Sequence, residues 1–170
     1  MRLMLTGHRP HKLGGYNNSE IQNRIELKLA EVLDRALELA NKMGKELIVL
    51  TGMALGSDQL WAKTALKKGI KVIAYVPFQG QHIRWPDHAQ REYFSILDEC
   101  HKVVHCSKAG YAAWKLYKRD RDMVDNADYC IAIWDGGEKG GTANTVVYAQ
   151  NENKPLLHIH PFSLEEKWLH

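Results

Sequence analysis

The sequence predicts an α/β fold in three layers, with a mostly parallel sheet flanked by helices. Short apolar runs rich in β-branched residues alternate with segments of helical period, and the order strand, helix, strand repeats along the chain. Runs such as LIVL and VIAYV are apolar at nearly every position, which is typical of strands covered on both faces. The chain has 170 residues, 45% of them hydrophobic, and neither a linker nor an internal repeat interrupts it. We therefore expect a single domain over residues 1–170.

The individual elements follow from these patterns. The predicted strands are Arg2–Thr6, Glu46–Thr51, Lys71–Val76, Lys102–Cys106, Tyr129–Trp134 and Pro155–Ile159. The first helix should begin at Ser19, where Gln22 can complete a capping box three residues later, and end before Gly44. Its apolar residues recur every three to four positions and form one buried stripe. The remaining helices are predicted over 57–68, 87–97, 111–126 and 142–151.

Composition and charge favour a cytoplasmic protein without a membrane segment. The 23 basic and 20 acidic residues give a net charge of +3, which is not the one-signed surface typical of nucleic-acid or anionic-lipid binding. No apolar run approaches the roughly 20 residues of a membrane-spanning helix, and the first residues turn polar after Leu5, too early for a secretory signal. Cys100, Cys106 and Cys130 are odd in number and lie in apolar surroundings, so we expect reduced thiols.

Glycine, hydroxyl and charged residues gather directly after the predicted strands. In an open α/β sheet, ligands bind in the crevice beyond the carboxyl ends of the strands. The residues that we predict to bind a ligand at this edge are Thr6, Gly7, His8, Arg9, Gly52, Gly56, Ser57, Asp58, Trp85, Gly136, Gly140, Gly141 and Thr142. This prediction requires several separate loops to meet at one edge of the sheet.

Two of these loops open helices and therefore have the chemistry of an anion site. Gly140–Thr142 and Gly56–Ser57 each begin a helix, where unpaired N–H groups and the positive end of the helix dipole attract phosphate. Arg9 can add a bidentate charge. Neither loop has the Gly-Lys-Ser/Thr of a P-loop or a Gly-x-Gly-x-x-Gly fingerprint, which argues against an ordinary kinase or dehydrogenase. Each loop taken alone could be a simple turn and not a phosphate site. The presence of both loops at one edge of the sheet favours a nucleotide-like ligand.

Trp85 and two Cys/His pairs complete the candidate residues. Trp85 lies in the longest irregular connection, 78–86, where it can stack on a base or pack against the protein. The pairs Cys100-His101 and His105-Cys106 have the residue types of metal ligands. They bracket a short strand, however, and alternation along that strand places Cys106 on the face opposite the two histidines. We predict no metal and no cofactor.

Four motifs occur in a distinctive combination. They are Thr6-Gly7-His8-Arg9-Pro10, the stretch Gly52–Ala62, Pro77-Phe78 followed by Trp85, and Val124–Asp128 before the glycine-rich loop. Over roughly residues 3–160, this combination resembles the YpsA-like branch of the SLOG superfamily. The resemblance implies a Rossmann-like fold that binds nucleotides or nucleotide-derived ligands. The superfamily includes the LOG phosphoribohydrolases, which cleave the base from nucleoside monophosphates, and the DprA-type proteins, which bind single-stranded DNA. Its members often pair through helices, which implies a homodimer.

The pattern of the LOG enzymes can be compared with this chain by residue. Arg119 stands where those enzymes have an arginine. Gly136-Gly137 and Gly141-Thr142 resemble their phosphate loop, lengthened by two residues. The position of their catalytic glutamate falls on Thr145, which is neither an acid nor a base.

Cleavage of an N-glycosidic bond needs a carboxylate near the anomeric carbon, because positive charge develops there in the transition state. Asp135, Glu138 or Asp58 must then replace the missing glutamate, and we expect Asp135 because it ends a central strand. The resemblance therefore implies Asp135 and Arg119 as catalytic residues. The alternative for Asp135 is a cap on the turn into Gly136.

Three hypotheses for function follow. The first is binding of a nucleotide or nucleotide-derived ligand at the sheet edge, with hydrolysis or transfer at an N-glycosidic bond as the reaction. The second is a sensor that binds a nucleotide without turning it over, which Thr145 favours. The third is binding of single-stranded nucleic acid, for which Arg84-Trp85 and the basic and aromatic residues of 115–119 supply charge and stacking.

Overall fold

The computed structural model describes residues 1–15 and 20–169. Within these residues one sheet contains the strands β1 (Arg2–Gly7), β2 (Ile48–Thr51), β3 (Lys71–Val76), β4 (Lys102–His105), β5 (Tyr129–Ile133), β6 (Leu156–Ile159) and β7 (Glu166–Leu169). The α-helices described are α1 (Glu20–Lys42), α2 (Ser57–Lys67), α3 (Asp87–Glu99), α4 (Ala113–Asn126) and α5 (Gly141–Asn151). A short 3-10 helix, Pro10–Lys12, follows β1.

β1 lies at the centre of the sheet, at the point where the direction of winding reverses. The strand order is β4-β3-β2-β1-β5-β6-β7. Met4 of β1 is paired with Leu50 of β2 on one side and with Cys130 of β5 on the other, and the strands β1 to β6 are all parallel. In sheets of this kind the crevice for a ligand lies beyond the carboxyl ends of the strands where the order reverses. The topology therefore places that crevice at the ends of β1 and β5.

Helices cover both faces of the sheet, and each face has its own apolar core. Side chains alternate along β1, so Leu3 and Leu5 belong to the core that includes residues of α1, α2 and α3. Met4 belongs to the opposite core, with residues of α4 and α5. Trp61 of α2 is fully buried in the first core, and Met123 of α4 is buried in the second. This arrangement confirms the predicted α/β fold with a mostly parallel, helix-flanked sheet in three layers.

The predicted strands are all present, and most differences lie at the ends of elements. β2 begins at Ile48, two residues later than predicted, and α4 begins at Ala113, also two residues later. Ser19, the predicted N-cap of the first helix, lies outside the described residues, and α1 is described from Glu20 onwards. Element ends vary with one or two local hydrogen bonds, so shifts of this size leave the topology unchanged.

The strand β7 was not predicted from the sequence. This strand is antiparallel to β6, with Leu169 opposite Leu156 and Glu166 opposite Ile159. It pairs on one side only, and Trp168 is exposed. Four residues at the edge of a sheet need no continuous apolar run, so the sequence lacks the pattern that identified the buried strands.

Candidate functional site

A cleft of about 310 Å³ opens at the carboxyl end of β1. Its walls come from the loop after β1, the 3-10 helix, the first turns of α2 and α5, and one side of α4. The cleft brings together these residues from the sequence prediction: Thr6, Gly7, His8, Arg9, Asp58, Arg119, Gly141 and Thr142. Several separate loops thus meet at one edge of the sheet.

The N-terminus of α5 faces this cleft. Gly140 is the N-cap residue, with a φ of 112° that lies in the left-handed region favoured by glycine. The helix begins with a 3.0 Å hydrogen bond from the N–H of Asn144 to the carbonyl of Gly140. N–H groups in the first turn of a helix have no acceptor within the helix, and here Gly141 and Thr142 lie in the wall of the cleft. A Cβ on Gly141 would have no atom within 4 Å, so this helix end is open to an anion.

The N-terminus of α2, by contrast, is occupied by the chain itself. The N–H and hydroxyl of Ser57 both donate to the carbonyl oxygen of His8, at 3.2 and 3.1 Å, and Ser57 is fully buried. Gly56 has a φ of 98°, and a Cβ there would lie 2.5 Å from the same carbonyl oxygen. The prediction that Gly56 and Ser57 cradle an anion is therefore wrong. They dock α2 against the loop after β1.

Asp135 joins the loop after β5 to the loop after β1. Its Oδ1 accepts a hydrogen bond from the N–H of Gly137 at 3.0 Å and lies 2.9 Å from Nε2 of His8, while its Oδ2 lies 3.0 Å from Nζ of Lys12. Burial acts to raise the pKa of Asp135, but the hydrogen bond from Gly137 and the neighbouring Lys12 and His8 hold that pKa well below its usual range. The carboxylate of Asp135 is therefore charged at neutral pH.

These contacts favour the capping interpretation of Asp135 over the predicted catalytic role. Asp135 does not belong to the wall of the cleft; His8 and Lys12, which it holds, do. Burial lowers the pKa of His8, and the nearby carboxylate of Asp135 opposes this effect. The Nε2 of His8 lies 3.0 Å from the backbone nitrogen of Asp135 and 2.9 Å from its Oδ1. Asp135 therefore lies outside the cleft and contacts two residues of its wall, His8 and Lys12.

A buried cluster of three charges forms the floor of the cleft. Arg119 is 4% exposed and Asp58 is 6% exposed. The Nη1 of Arg119 donates to the carbonyl oxygen of Gly52 and lies 3.7 Å from Oδ2 of Asp58. Its Nε lies 2.7 Å from Oδ1 of Asp120, an ion-pair contact whose geometry leaves this Nε without a well-aligned acceptor. One guanidinium is therefore shared between two carboxylates.

Burial and mutual attraction act in opposite directions on this cluster. Burial raises the pKa of Asp58 to about 6, although Arg119 opposes the rise. Burial also raises the pKa of Asp120, against the effect of Arg119. Burial would lower the pKa of Arg119, but the two carboxylates outweigh it and raise that pKa. Arg119 therefore stays charged, while the carboxyl of Asp58 gains and loses its proton close to neutral pH.

The pKa of Asp58 predicts a pH-dependent difference in stability between the wild type and Asp58→Asn. The folded state holds the proton more tightly than the unfolded state, so the wild type loses stability as the pH rises from about 4 to about 6 and then levels off. A rise in pKa from 3.8 to about 6 corresponds to about 3 kcal/mol, and the asparagine variant lacks this loss. Urea unfolding measures this effect. Between about pH 4 and about pH 7, the free energy of unfolding of Asp58→Asn should rise relative to that of the wild type by about 3 kcal/mol.

Thr64→Ala is a suitable control for this experiment. Thr64 is a buried residue of the same helix, its hydroxyl donates to the carbonyl of Leu60 at 2.7 Å, and it does not titrate. Its stability difference from the wild type should be independent of pH. A constant difference for Asp58→Asn as well would show that Asp58 does not titrate in this range.

Gly52 makes room for Arg119 and does not touch the cleft. A Cβ on Gly52 would lie 1.9 Å from Nη1 of Arg119 and 2.7 Å from Oδ2 of Asp58. Gly52 is buried and is not among the residues that line the cleft. The prediction that it approaches the ligand is therefore wrong, because protein atoms fill the space that its missing side chain leaves.

Three further predicted residues lie outside the cleft wall. Gly136 and Gly140 are exposed in the loop that leads into α5. Trp85 packs against the first core, with its ring edge-on to Tyr93 at a centroid distance of 5.3 Å. This contact favours the packing interpretation of Trp85 over stacking on a base in this cleft.

Sequence reasoning also missed residues that do line the cleft. They include His11, Lys12, Tyr111 and Asp120, whereas Tyr117 was considered only for single-stranded nucleic acid. Asp120 belongs to a charged run that resembles a solvated helix face, yet its side chain is only 15% exposed. The sequence does contain a sign of this burial. Leu116 and Met123 define an apolar helix stripe with a period of three to four residues, and this stripe passes over residues 119 and 120.

Comparison with known proteins agrees with the architecture. A family model named YpsA, described as the YspA SLOG family, matches residues 3–164. The chain belongs to this family. A UPF0398 protein of Lysinibacillus sphaericus is 24% identical over 166 residues, which cover 95% of this chain and 89% of that protein. The SPbeta prophage-derived protein YoqJ of Bacillus subtilis is 28% identical over 156 residues, which cover 81% and 88% of the two chains.

Solved structures share the fold of this YpsA family member. DNA processing protein A of Streptococcus pneumoniae matches 94% of the chain with a TM-score of 0.66 and 17% identity. The Helicobacter pylori protein of the same name, whose structure concerns single-stranded DNA binding, matches 94% with a TM-score of 0.62 and 18% identity. The chain spans 50% and 65% of the lengths of these two proteins. TM1055 matches 91% of the chain with a TM-score of 0.57 and 19% identity.

Three further observations concern the helices, the potential metal ligands and the cysteines of this YpsA family member. Within residues 1–15 and 20–169, no helix has the length and apolar character to cross a membrane. In the same residues, no three His, Cys, Asp or Glu side chains are grouped so that they could hold a metal ion. Cys100, Cys106 and Cys130 are free thiols.

Proposed function

We propose that the cleft binds a nucleoside 5′-monophosphate or a closely related nucleotide, with its phosphate at the N-terminus of α5. The N-terminus of α5 at Gly141 and Thr142, in the same cleft as the cations Arg9 and Lys12, is the observation that carries this proposal. Backbone N–H groups at a helix N-terminus and nearby cations are the groups that bind phosphate in proteins. The volume of about 310 Å³ lies at the lower end of the range for small-molecule sites.

Two tyrosines supply the surface for the base. Tyr111 and Tyr117 line the cleft, and both side chains are exposed. The ring of Tyr111 contacts Phe78 edge-on at a centroid distance of 5.9 Å. Aromatic faces bind the flat, polarisable rings of bases by stacking. A mononucleotide therefore finds a phosphate seat and a stacking surface in one cleft.

Gly141→Asp tests the phosphate seat. The aspartate adds a side chain and a negative charge where the phosphate should bind, so the variant should lose nucleotide binding. A carboxylate in the first turn of a helix favours the helix, so the unliganded variant should remain as stable as the wild type. Calorimetry and thermal unfolding with the four common nucleoside 5′-monophosphates should detect binding and stabilisation in the wild type and neither in the variant.

Gly141→Ala is the matched control, because its Cβ meets open space and adds no charge. It should retain most of the binding. Equal affinity of Gly141→Asp and the wild type would remove the phosphate-seat assignment.

Single-stranded DNA is the alternative ligand, suggested by the structures of DNA processing protein A. A basic channel with aromatic residues would be needed. Lys115, the most suitable cation beside Trp114, already donates to the carbonyls of Lys108, Ala109 and Gly110 at 2.7 to 3.1 Å. The mononucleotide is therefore favoured. Oligonucleotide binding that weakens steeply with salt, without binding of mononucleotides, would support the DNA alternative instead.

A further inference from the structure

Lys115 of α4 binds the loop between β4 and α4, residues 106–112, through its ammonium group. The Nζ of this lysine donates to the carbonyl oxygens of Lys108, Ala109 and Gly110 at 2.9, 3.1 and 2.7 Å. A lysine ammonium has three N–H groups, so the three carbonyls use all of them. No donor is left for the phosphate of a ligand, and Lys115 therefore acts on this loop.

The loop has few other polar attachments. The backbone of residues 107–110 makes no hydrogen bond to other backbone groups among the described residues. Gly110 has a φ of 88°, in the left-handed region that glycine adopts without strain, and three successive carbonyls face one point at this turn. Hydrogen bonds from a charged donor are stronger than those between neutral groups. The ammonium of Lys115 is therefore the main polar connection of this segment to α4.

Tyr111 follows directly after the three bound carbonyls and lines the cleft. Its ring contacts Phe78 edge-on at 5.9 Å, and Phe78 is buried. The Nζ of Lys115 lies 5.9 Å from the centre of the same Phe78 ring, which is within the range of a cation–π contact. Lys115 thus contacts both the main chain just before Tyr111 and the ring against which Tyr111 packs.

The segment 111–117 supplies a part of the cleft wall that has no charged side chain. Its lining residues are Tyr111, Ala113, Leu116 and Tyr117. The cations and the helix N-terminus of the proposed phosphate seat come instead from the loop after β1 and from α5. Aromatic and apolar side chains bind a base mainly through its flat face, so the affinity increases with the area of the ring. We expect purine nucleotides to bind more tightly than pyrimidine nucleotides.

We propose that Lys115 is a positioning residue for the base of the bound nucleotide, because it keeps the loop 106–112 in the conformation that places Tyr111 in the cleft wall. The inference rests on the proposed function, since it requires a nucleotide in this cleft. The phosphate is bound by the loop after β1 and by α5. The affinity for the base depends on a lysine that does not itself touch the ligand.

Lys115→Met tests this role by comparing a ligand that has a base with one that does not. The methionine keeps an unbranched chain beside the rings of Phe78 and Trp114 but removes the ammonium. The affinity for adenosine 5′-monophosphate, measured by calorimetry, should fall about tenfold. The affinity for ribose 5-phosphate, which has no base, should change by less than about twofold. The loss should be smaller for cytidine 5′-monophosphate, because its ring has less area to stack.

Tyr111→Leu and the double variant show whether Lys115 acts through Tyr111. Tyr111→Leu should lose about as much affinity for adenosine 5′-monophosphate as Lys115→Met. If the lysine acts through the tyrosine, the double variant should lose at most about twofold more than either single variant. A general effect of Lys115 on the fold would instead multiply the two losses and weaken the binding of ribose 5-phosphate, and either result would overturn the proposal.

Lys118→Met is the matched control. Lys118 lies on the same helix, pairs with Asp122 at 2.6 Å and is not in the lining of the cleft. This variant should bind every ligand as the wild type does.

Cleavage by chymotrypsin after Tyr111, located by mass spectrometry, reports on the loop without any ligand. Exposed loops that are poorly fixed are the preferred sites of proteolysis, and Tyr111 is exposed. Cleavage should be at least about fivefold faster in Lys115→Met than in the wild type. It should be unchanged in Lys118→Met.

The outcomes separate this proposal from the proposed function. Wild-type affinity of Lys115→Met for adenosine 5′-monophosphate would overturn the role of Lys115 and leave the phosphate seat in place. An unchanged rate of cleavage after Tyr111 in that variant would overturn it as well. If the wild type binds none of the four common nucleoside 5′-monophosphates, the phosphate seat itself is wrong, and the proposal for Lys115 fails with it.

Discussion

Replacing Arg119 with methionine is expected to lower the free energy of unfolding by about 3 to 5 kcal/mol. The substitution leaves the carboxylates of Asp58 and Asp120 inside the protein without their shared cation. It also removes the donor to the buried carbonyl of Gly52. A loss of this size is a large fraction of the stability of an ordinary domain. The midpoint of guanidinium unfolding at neutral pH measures it.

Two comparisons separate loss of charge pairing from loss of packing at Arg119. Arg121→Met removes a cation from the same helix, but Arg121 lies at the surface 5.0 Å from the ring of Tyr148, so the change should be within about 1 kcal/mol. Combining Asp58→Asn with Arg119→Met removes one of the stranded charges and should recover part of the loss. If Arg119→Met alone unfolds at the wild-type midpoint, the three charges do not form a coupled cluster.

The sequence was most informative where a strand is buried on both faces. The runs LIVL and CIAIW correspond to β2 and β5, which lie on either side of β1 inside the sheet. Such strands must be apolar on successive residues, so their pattern is unambiguous once their length and flanking turns are considered. β7 has one neighbour and exposed side chains, and tertiary pairing with β6 determines it rather than its own composition.

The location of the site was predictable for a topological reason, whereas the roles of single residues were not. Parallel strands bring all their carboxyl ends to one edge, so the loops after β1, β2 and β5 had to meet. A glycine in such a loop indicates that a side chain is missing, but it does not indicate what fills the space. At Gly141 the space is open, while at Gly56 the carbonyl of His8 fills it and at Gly52 the guanidinium of Arg119 fills it.

The roles of charged residues were also not predictable from the sequence alone. The run 118–122 contains exposed and buried side chains, because only one side of α4 faces the sheet. Arg119 is buried, and Lys118 and Asp122 pair on the outside at 2.6 Å. Local sequence does not show that Arg119 meets Asp58, since that contact joins residues some sixty positions apart. The cluster exists only after β1, β2 and β5 are in place and the helices have packed on them.

Gly52→Ala is expected to destabilise the protein by about 2 to 5 kcal/mol, a second large effect from a single methyl group. The added Cβ would lie 1.9 Å from Nη1 and 2.4 Å from Cζ of Arg119, so the guanidinium has to move. Movement breaks its hydrogen bond to the carbonyl of Gly52 and separates it from Asp58, and both of these partners are buried. Gly141→Ala adds the same methyl group where no atom lies within 4 Å and should unfold with the wild type. Denaturant unfolding of the two variants compares them directly. Equal midpoints for Gly52→Ala and the wild type would mean that Arg119 can leave this position without loss of stability.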